Sequence, residues 1–362
     1  MFGRMDQSML KSLDARRICI IKPSALGDVV QTLPLLPVLK ERFPNAHISW
    51  VINHRIADVL TGHPNLDEIV PYYRYGRALK WMKLLWKLRC HRFDLVFDLQ
   101  GLLRTGIMAA ATRAPYRVHL ETAREGSAFF GNIQLADTSK FVPAKLRYWR
   151  VAEALGMENR KPETIVSIPA ADEEWAERLQ LRFGQPFLAV SPGARWETKR
   201  WPAEKFAAVV AKAWRTWNFA VVIVGSSKEN SLAENCYHAI RKYVPAAKVE
   251  NLTGRTTIKQ LAALLKRSTI LLSNDSGPMH LAAGFHTPVV GVFTCTDPYR
   301  SGPPESCHQF VTSKVSCAGS YRKRCPYADK KKLACFDEID VDRVWKSFYH
   351  CMNRNFAVPR AA

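Results

Sequence analysis

The chain has 362 residues, a length sufficient for two α/β domains of ordinary size. Hydrophobic residues make up 47% of it, and its formal net charge at neutral pH is +21. No apolar run approaches the ~18 residues that a membrane-spanning helix needs, and the polar N-terminal stretch has no apolar core of a secretory signal. We therefore expect a cytoplasmic protein that at most touches a membrane surface.

The first informative element is a strand, a turn and a helix near the N-terminus. Residues 17–21 are predicted to be a buried strand, and a helix is predicted from about Asp28. Its apolar face would be formed by residues at helical spacing: Val29, Leu33, Leu36 and Leu39. The turn matches neither the glycine-rich dinucleotide pattern nor the P-loop. Asp28 is either a helix cap or a base whose charge the helix end and Lys22 would stabilise.

Positive charge is concentrated between residues 71 and 150, which hold fifteen Lys or Arg against five Asp or Glu. Within this segment residues 74–89 are predicted to form a basic amphipathic helix. One side carries Arg77, Lys80, Lys83 and Lys87, and the other carries Trp81, Leu84, Leu85 and Leu88. The helix suits an anionic lipid surface, nucleic acid, or simply its own domain. Because the chain has no zinc-finger spacing and no aromatic RNA-binding motif, we expect no nucleic-acid partner.

Strands and helices alternate along the whole chain, which predicts a doubly wound α/β fold in two halves. The predicted strands are residues 17–21, 47–51, 95–98, 187–191, 220–224, 249–252, 269–272 and 288–293. The predicted helices of the second half are residues 202–217 and 258–266. We place domains at 1–165 and 166–340, and expect a helix within 341–362 to return to the first domain.

The second informative turn follows the strand 269–272. Small and hydroxyl residues before a helix start leave backbone N–H groups free at its positive end, where phosphate binds well. Gly277 allows close approach of a ligand, and Pro278 suits the first helical turn. In two Rossmann-like halves, the Asp28 and Asp275 turns would lie at the carboxyl ends of their sheets, and we expect them to face one another across a cleft.

Nine cysteines are many for a cytoplasmic chain, and four of them cluster late: Cys307, Cys317, Cys325 and Cys335. They form no C-x-x-C pair, so a zinc site is only weakly indicated. Three interpretations stay open for these residues: reduced buried thiols, a structural metal, or redox pairing.

Four motifs occur in a fixed order: KPSALGDVVQTLP, then FDLQGLLRTG with ETAREGSAFF, then SPGARWETKRWP, and lastly SNDSGPMHLAAG. Through them the chain resembles the ADP-heptose:lipopolysaccharide heptosyltransferases of glycosyltransferase family nine, most closely heptosyltransferase I, over about residues 17–344. The resemblance implies a GT-B architecture, with an ADP-sugar donor on the C-terminal domain and an acceptor on the N-terminal domain. It also implies inverting transfer without a covalent intermediate.

The resemblance assigns roles to individual residues. Asp28 would be the general base, and Lys199 would contact the donor diphosphate. The donor-binding residues would be Lys199, Glu229, Asp275, Ser276, Gly277 and His280. The acceptor-binding residues would be Ser24, Gly27, Arg104 and Arg124. Their alternatives are ordinary ones: a surface lysine, a core histidine and solvated arginines.

The implied partners are ADP-heptose and the Kdo-bearing inner core of lipopolysaccharide, an anionic lipid-linked saccharide at the cytoplasmic face of the inner membrane. No cofactor is implied with certainty beyond the ADP-sugar. Residues 141–150 depart from the family pattern, so the acceptor is expected to differ in detail. The functional alternatives are a transferase with another nucleotide sugar or a protein acceptor, a non-catalytic lipopolysaccharide-binding protein, or a nucleic-acid-binding protein.

Overall fold

The computed structural model describes residues 5–76, 78–304, 306–328 and 331–356. Arg77 of the predicted basic helix and the last six residues of the predicted C-terminal helix region lie outside them. The chain divides into two compact units, Met1–Ser167 and Ile168–Ala362. The assignment of acceptor binding to the first and donor binding to the second stays a prediction.

The first unit is built on a parallel sheet of six strands among the described residues. They are β1 (Arg17–Ile21), β2 (His47–Asn53), β3 (Glu68–Tyr72), β4 (Leu95–Asp98), β5 (Tyr116–Leu120) and β6 (Ile133–Leu135). The strand order is β3-β2-β1-β4-β5-β6, the order of a doubly wound dinucleotide-binding fold. In the register, Ile20 of β1 lies between Trp50 and Phe97 of its neighbours. The predicted fold class is confirmed for this unit.

The helices of the first unit cover both faces of the sheet. They are α1 (Leu26–Val30), α2 (Leu35–Arg42), α3 (Ala78–Cys90), α4 (Leu103–Thr112) and α5 (Ala144–Ala154). The predicted helix from Asp28 is split into α1 and α2, because Pro34 caps a second start. The predicted apolar face is nevertheless fully buried. The basic helix begins at Ala78 rather than Arg74, since residues 73–76 form a turn closed by Gly76 N–H donating to Tyr73 O at 3.0 Å.

The second unit repeats the same architecture. Its described strands are β7 (Phe187–Ser191), β8 (Ala220–Ile223), β9 (Val249–Asn251), β10 (Ile270–Asn274), β11 (Val289–Phe293) and β12 (Gln309–Thr312). All pair in parallel in the order β12-β11-β10-β7-β8-β9, so the chain reverses direction of winding between β7 and β10. Leu272 of β10 lies between Val290 and Val190. Strands buried on both faces explain the continuous apolar runs in the sequence.

The helices of the second unit are α6 (Ala170–Phe183), α7 (Ala203–Trp217), α8 (Asn230–Tyr243), α9 (Ile258–Arg267), α10 (Gly277–Gly284), α11 (Pro298–Ser301), α12 (Ala334–Glu338) and α13 (Val341–Asn355). Short 3-10 turns in the two units cover Gln7–Lys11, Ala57–Leu60, Ser127–Phe130, Glu197–Lys199 and Ser227–Glu229. No helix in the described part of the chain combines the length and apolar composition of a membrane span.

The helix α13 packs within the second unit. Its apolar side, which includes Val344 and Phe348, is buried in the core of the second unit against α7, β11 and β12. Trp217 at the end of α7 packs on it, with ring centroids 5.6 Å from Trp345 and 6.0 Å from Phe348. The helix thereby covers an apolar surface that the aromatic end of α7 leaves on the core of its own unit. The predicted return of this helix to the first domain stays a prediction.

Candidate active site

The Asp28 turn lies at the carboxyl edge of the first sheet, directly after β1. Asp28 stands in the first turn of α1, where its Oδ2 accepts a hydrogen bond from Ala25 N–H at 3.2 Å. Its Oδ1 accepts a hydrogen bond from the Tyr148 hydroxyl at 3.1 Å. Tyr148 is buried on α5 and comes from a distant part of the chain. The carboxylate is therefore half-buried and fixed in orientation by donors on both of its oxygens.

Lys22 lies beneath this arrangement. It is buried, and its Nζ donates to Leu99 O at 3.0 Å while lying 4.7 Å from the centroid of the Tyr148 ring. Burial lowers the pKa of Lys22, and the negative charges of Asp28 and Asp98 act in the opposite direction. Burial raises the pKa of Tyr148 well above its ordinary value, and the charge of Asp28 adds to that rise. The tyrosine hydroxyl consequently keeps its proton at neutral pH and remains a donor.

A second loop supports the same edge from β4. Asp98 accepts hydrogen bonds from Gln100 N–H, Gly101 N–H and the Thr105 hydroxyl at 3.0–3.1 Å. Burial raises its pKa to about 6. Gly101 has φ of +64°, and a Cβ there would lie 2.9 Å from Ala123 Cα, so the loop accepts only glycine at this position. A buried acid thus organises the backbone of this loop.

The predicted acceptor residues lie around these two loops. Ser24 N–H donates to Gln100 Oε1 at 3.2 Å, and Gly27 is buried within α1. Arg124 is exposed after β5, and its backbone N–H donates to Gly101 O at 2.9 Å. Arg104 is half-buried at the start of α4, and its buried Nε has no hydrogen-bond partner among the described residues. All four therefore belong to loops or helix starts at one edge of the first sheet.

The second unit brings Lys199 and Asp275 together. Lys199 Nζ lies 2.6 Å from Asp275 Oδ2, with the two side chains only 16% and 6% exposed. The lysine also lies 4.7 Å from the centroid of the Trp196 ring. Asn274 fixes the neighbouring backbone, because its Oδ1 accepts from Trp201 N–H at 3.2 Å and its Nδ2 donates to Pro192 O at 2.8 Å. The loops after β7 and β10 are thereby joined at the carboxyl edge of the sheet.

The turn into α10 has the predicted form. Ser276 is the N-cap, Pro278 lies in the first turn, and His280 is buried. The Ser273 and Ser276 hydroxyl oxygens are 3.1 Å apart. Gly277 is the first residue of the helix, so the backbone at its positive end carries no side chain there. This geometry suits a bound phosphate group.

Glu229 closes the same edge from β8. Its Oε2 accepts from Ser226 N–H at 2.8 Å and from the Ser226 hydroxyl at 2.7 Å. The carboxylate packs directly on Gly193, where a Cβ would lie only 2.3 Å from Oε1. Glu229 is therefore aligned with the loop after β7 that leads to Lys199.

The sequence did not identify several residues that lie at these sites. Tyr148 carries no motif, and its contact with Asp28 joins positions far apart in the chain. Trp196 lies within a sequence motif, but the motif gives it no role. In the structure the ammonium of Lys323, on the late basic loop, lies 5.9 Å from the centroid of the Trp196 ring. That loop is joined to the Lys199 turn, because the Thr198 hydroxyl donates to Arg322 O at 2.8 Å. The late basic segment thus adds positive charge beside Lys199, which spacing alone did not predict.

The late cysteines divide into two places. Burial raises the pKa of Cys335 to about 12, and the charges of Cys317, Cys325 and Cys295 add to that rise, so each of these three lies near Cys335. Cys307 lies instead beside Cys351, whose thiol donates to its carbonyl at 3.3 Å. Within the described residues no disulfide forms, and no three His, Cys, Asp or Glu side chains are arranged as metal ligands. The thiol, metal and redox interpretations all stay predictions.

Comparison with known proteins gives consistent results. Residues 81–331 match the family model described as glycosyltransferase family 9 (heptosyltransferase). The lipopolysaccharide core heptosyltransferase OpsX of Haemophilus influenzae is 28% identical over 340 residues, which are 91% of this chain and 95% of that protein.

Two solved structures share the fold. The glycosyl transferase family 9 protein from Veillonella parvula has a TM-score of 0.76 and 24% identity, over 94% of this chain and 98% of its own. The E. coli heptosyltransferase WaaC with ADP has a TM-score of 0.69 and 18% identity, over 92% of this chain and 99% of its own. The predicted GT-B fold class is confirmed by these similarities.

Proposed function

The chain belongs to glycosyltransferase family 9, the heptosyltransferase family, and we propose that it moves heptose from ADP-heptose to the Kdo-containing inner core of lipopolysaccharide with inversion at the anomeric carbon. The relative from Haemophilus influenzae is named for the lipopolysaccharide core, and a second solved structure of WaaC contains ADP-2-deoxy-2-fluoro heptose. The enzyme is a glycosyltransferase. Its inner-core acceptor, its place at the inner membrane and its stereochemistry are the finer parts of the proposal.

The observation that carries the donor part is the Lys199–Asp275 pair beside the α10 turn. An ammonium has three N–H donors, and Asp275 occupies one of them at 2.6 Å. The buried carboxylate fixes the lysine in place, and the remaining donors would then be available to the diphosphate. Negative charge grows on ADP as it leaves, and a fixed cation stabilises that charge in the transition state. The backbone N–H groups around Ser276 and Gly277, with His280, would hold the phosphates.

Glu229 would accept hydrogen bonds from the ribose hydroxyls of the donor. Its carboxylate is already oriented by Ser226 at 2.7 and 2.8 Å, so it binds without reorganising. Gly193 makes room for this carboxylate, since a Cβ there would lie 2.3 Å from Oε1 of Glu229.

Asp28 would act as the general base. It takes the proton of the acceptor hydroxyl while that oxygen forms a bond to the anomeric carbon and the bond from this carbon to ADP breaks. An ionised carboxylate is needed, and the Tyr148 hydroxyl and Ala25 N–H both stabilise that form by hydrogen bonding. Tyr148 acts through Asp28 and is a positioning residue.

The acceptor carries several negative charges, which the proposal places against Arg104 and Arg124. Ser24 and Gly27 would lie beside the reacting hydroxyl at the Asp28 turn. The buried Nε–H of Arg104 has no hydrogen-bond partner among the described residues, which is consistent with an anionic ligand that accepts from the guanidinium.

The proposal is tested by the product. Purified protein is incubated with ADP-heptose and Kdo-lipid A, and the lipid is analysed by mass spectrometry and by NMR of the new anomeric centre. We expect the addition of one heptose with configuration opposite to that of the donor. A product with retained configuration would contradict the single-displacement mechanism, and addition only from another nucleotide sugar would change the donor.

A further inference from the structure

The helix α3 has a second apolar side that the sequence did not single out. Leu79, Met82 and Trp86 are 63%, 64% and 70% exposed. Their spacing of three and four residues places them in one stripe along the helix. The opposite side already packs on the first unit through Leu84 and Leu88. A surface helix normally exposes polar residues on its outer side, whereas this stripe exposes apolar ones.

The charged residues of the helix α3 itself are all cationic. The described helix contains no Asp or Glu. Its cations flank the stripe along the helix surface: Lys80, Lys83 and Lys87 on one side and Arg89 on the other. Lys83 is exposed, whereas Lys87 is paired with Glu68 at 2.7 Å and Lys80 lies 4.2 Å from the Tyr73 ring centroid.

The basic surface extends beyond both ends of α3. A pocket of about 420 Å³ at the far end is lined by Arg89, Arg92 and Arg113, and a pocket of about 210 Å³ near the start is lined by Arg55, Arg74 and Lys80. Cations therefore border the apolar stripe at both of its ends.

This combination discriminates between a lipid surface and a protein partner. The cores of protein interfaces are depleted of lysine. Two copies of a chain with net charge +21 would also repel one another if the cations flanking their apolar stripes approached. An anionic bilayer attracts the same lysines, whose long stems reach the headgroup phosphates while leucine, methionine and tryptophan enter the acyl boundary.

We propose that α3 docks the first unit on an anionic lipid surface, with Leu79, Met82 and Trp86 inserted between the headgroups and the flanking lysines on the phosphates. The inference deepens the proposed function, since a lipid-linked acceptor would be met at the same surface. It names the side chains that make the contact.

The test is co-sedimentation with vesicles of phosphatidylcholine, with and without phosphatidylglycerol. The protein should bind the phosphatidylglycerol vesicles and lose binding at high salt. The triple variant Leu79→Ser/Met82→Ser/Trp86→Ser should bind at least ~10-fold more weakly, because the apolar contribution is removed. The Lys83→Glu variant should weaken binding to the anionic vesicles alone.

A matched control is Leu181→Ser, since Leu181 is 71% exposed on α6 of the second unit, and it should bind as the wild type does. Turnover with a delipidated Kdo saccharide should be unchanged in the triple variant, which separates docking from catalysis. Wild-type vesicle binding by the triple variant would overturn the proposal. So would a self-associated wild type that becomes monomeric on the same substitutions without any change in vesicle binding.

Discussion

The Asp28 turn and the Asp275 turn have the same local structure, but their carboxylates have different partners. Each follows a buried parallel strand and leads into a helix at the carboxyl edge of its sheet. Asp275 is held by the Lys199 ammonium at 2.6 Å. Asp28 accepts hydrogen bonds from a tyrosine hydroxyl and a backbone amide, while the neighbouring Lys22 donates to a carbonyl.

The roles proposed for the two carboxylates follow from their contacts rather than from their motifs. A carboxylate bound to a cation orients that cation and is a poor proton acceptor. A carboxylate oriented by neutral donors is ionised and remains able to accept a proton from a substrate. On this argument the first unit would supply the base and the second unit would supply the charge stabilisation.

The largest effect is expected at Asp28. The Asp28→Asn variant should lose ~100-fold or more in kcat for acceptor-dependent ADP release, because it cannot take the proton. The Asp340→Asn variant is the matched control, since Asp340 caps α13 by accepting from Arg343 N–H at 2.7 Å and the proposed reaction gives it no role. If both variants kept wild-type turnover, the contrast between the two turns would have no catalytic meaning.

The Lys199–Asp275 pair should show loss of both activity and stability. The Lys199→Gln variant should lose ~100-fold in kcat/KM, as expected for removal of a group that stabilises transition-state charge. It should also lower the free energy of unfolding by about 3 kcal/mol, because Asp275 is left buried without its cation. Steady-state kinetics and urea unfolding measure the two effects separately.

A double variant distinguishes the two roles of that pair. Lys199→Gln/Asp275→Asn should regain most of the stability but none of the activity, since no buried charge remains and the diphosphate has no cation. Lys212→Gln is the control, because Lys212 forms an ion pair with Asp342 at the same 2.6 Å but at the exposed surface. Its effect on unfolding should stay below about 1 kcal/mol. Recovery of turnover in the double variant would exclude a catalytic role for the lysine.

Tyr148 is expected to have an intermediate effect. The Tyr148→Phe variant should reduce kcat by ~10-fold, the equivalent of one hydrogen bond to a charged group. The acid limb of its pH–rate profile should move to higher pH, because the carboxylate of Asp28 loses a donor that favours its ionised form. Tyr72→Phe, at another buried tyrosine of the first unit, should change neither quantity. An unshifted acid limb in Tyr148→Phe would leave this tyrosine with a packing role alone.

The smallest effect concerns the buried acid that supports the Asp28 edge. Burial raises the pKa of Asp98 to about 6 in the folded chain, above its unfolded value. The folded state therefore binds the proton more tightly, so the contribution of Asp98 to stability is fully present below the unfolded pKa of about 4 and is lost as pH rises through 6. The unfolding free energy of the wild type should fall over this range relative to Asp98→Asn. Hydrogen exchange in residues 95–105 reports on the first unit separately, and parallel pH dependences would refute the assignment.

Local pattern was sufficient for much of the fold. The predicted ends of β1, β4 and β7 agree with the structure, because each is a continuous apolar run bounded by polar residues. The strand β5 was missed because Arg117 and His119 interrupt its apolar character, although both are buried. Arg117 is accommodated there by donating to Phe130 O at 2.8 Å, a contact that no local pattern reveals.

The candidate site shows the same limit. Motifs located the turns that hold Asp28, Lys199 and Asp275, but they did not pair Lys199 with Asp275 or bring Tyr148 to Asp28. Those contacts depend on the order of strands in each sheet and on the direction of α5, which are tertiary properties. The exposed stripe of α3 was hidden for a related reason, since periodicity showed one apolar side and the packing of the sheet left the other uncovered.

The most direct test of the central claim is nucleotide release from a panel of ADP-, UDP- and GDP-sugars, with and without Kdo-lipid A, for the wild type and Asp28→Asn. The account predicts release of ADP from ADP-heptose that requires the acceptor and falls by ~100-fold or more in the variant. Acceptor-dependent release that persists undiminished in Asp28→Asn would contradict it.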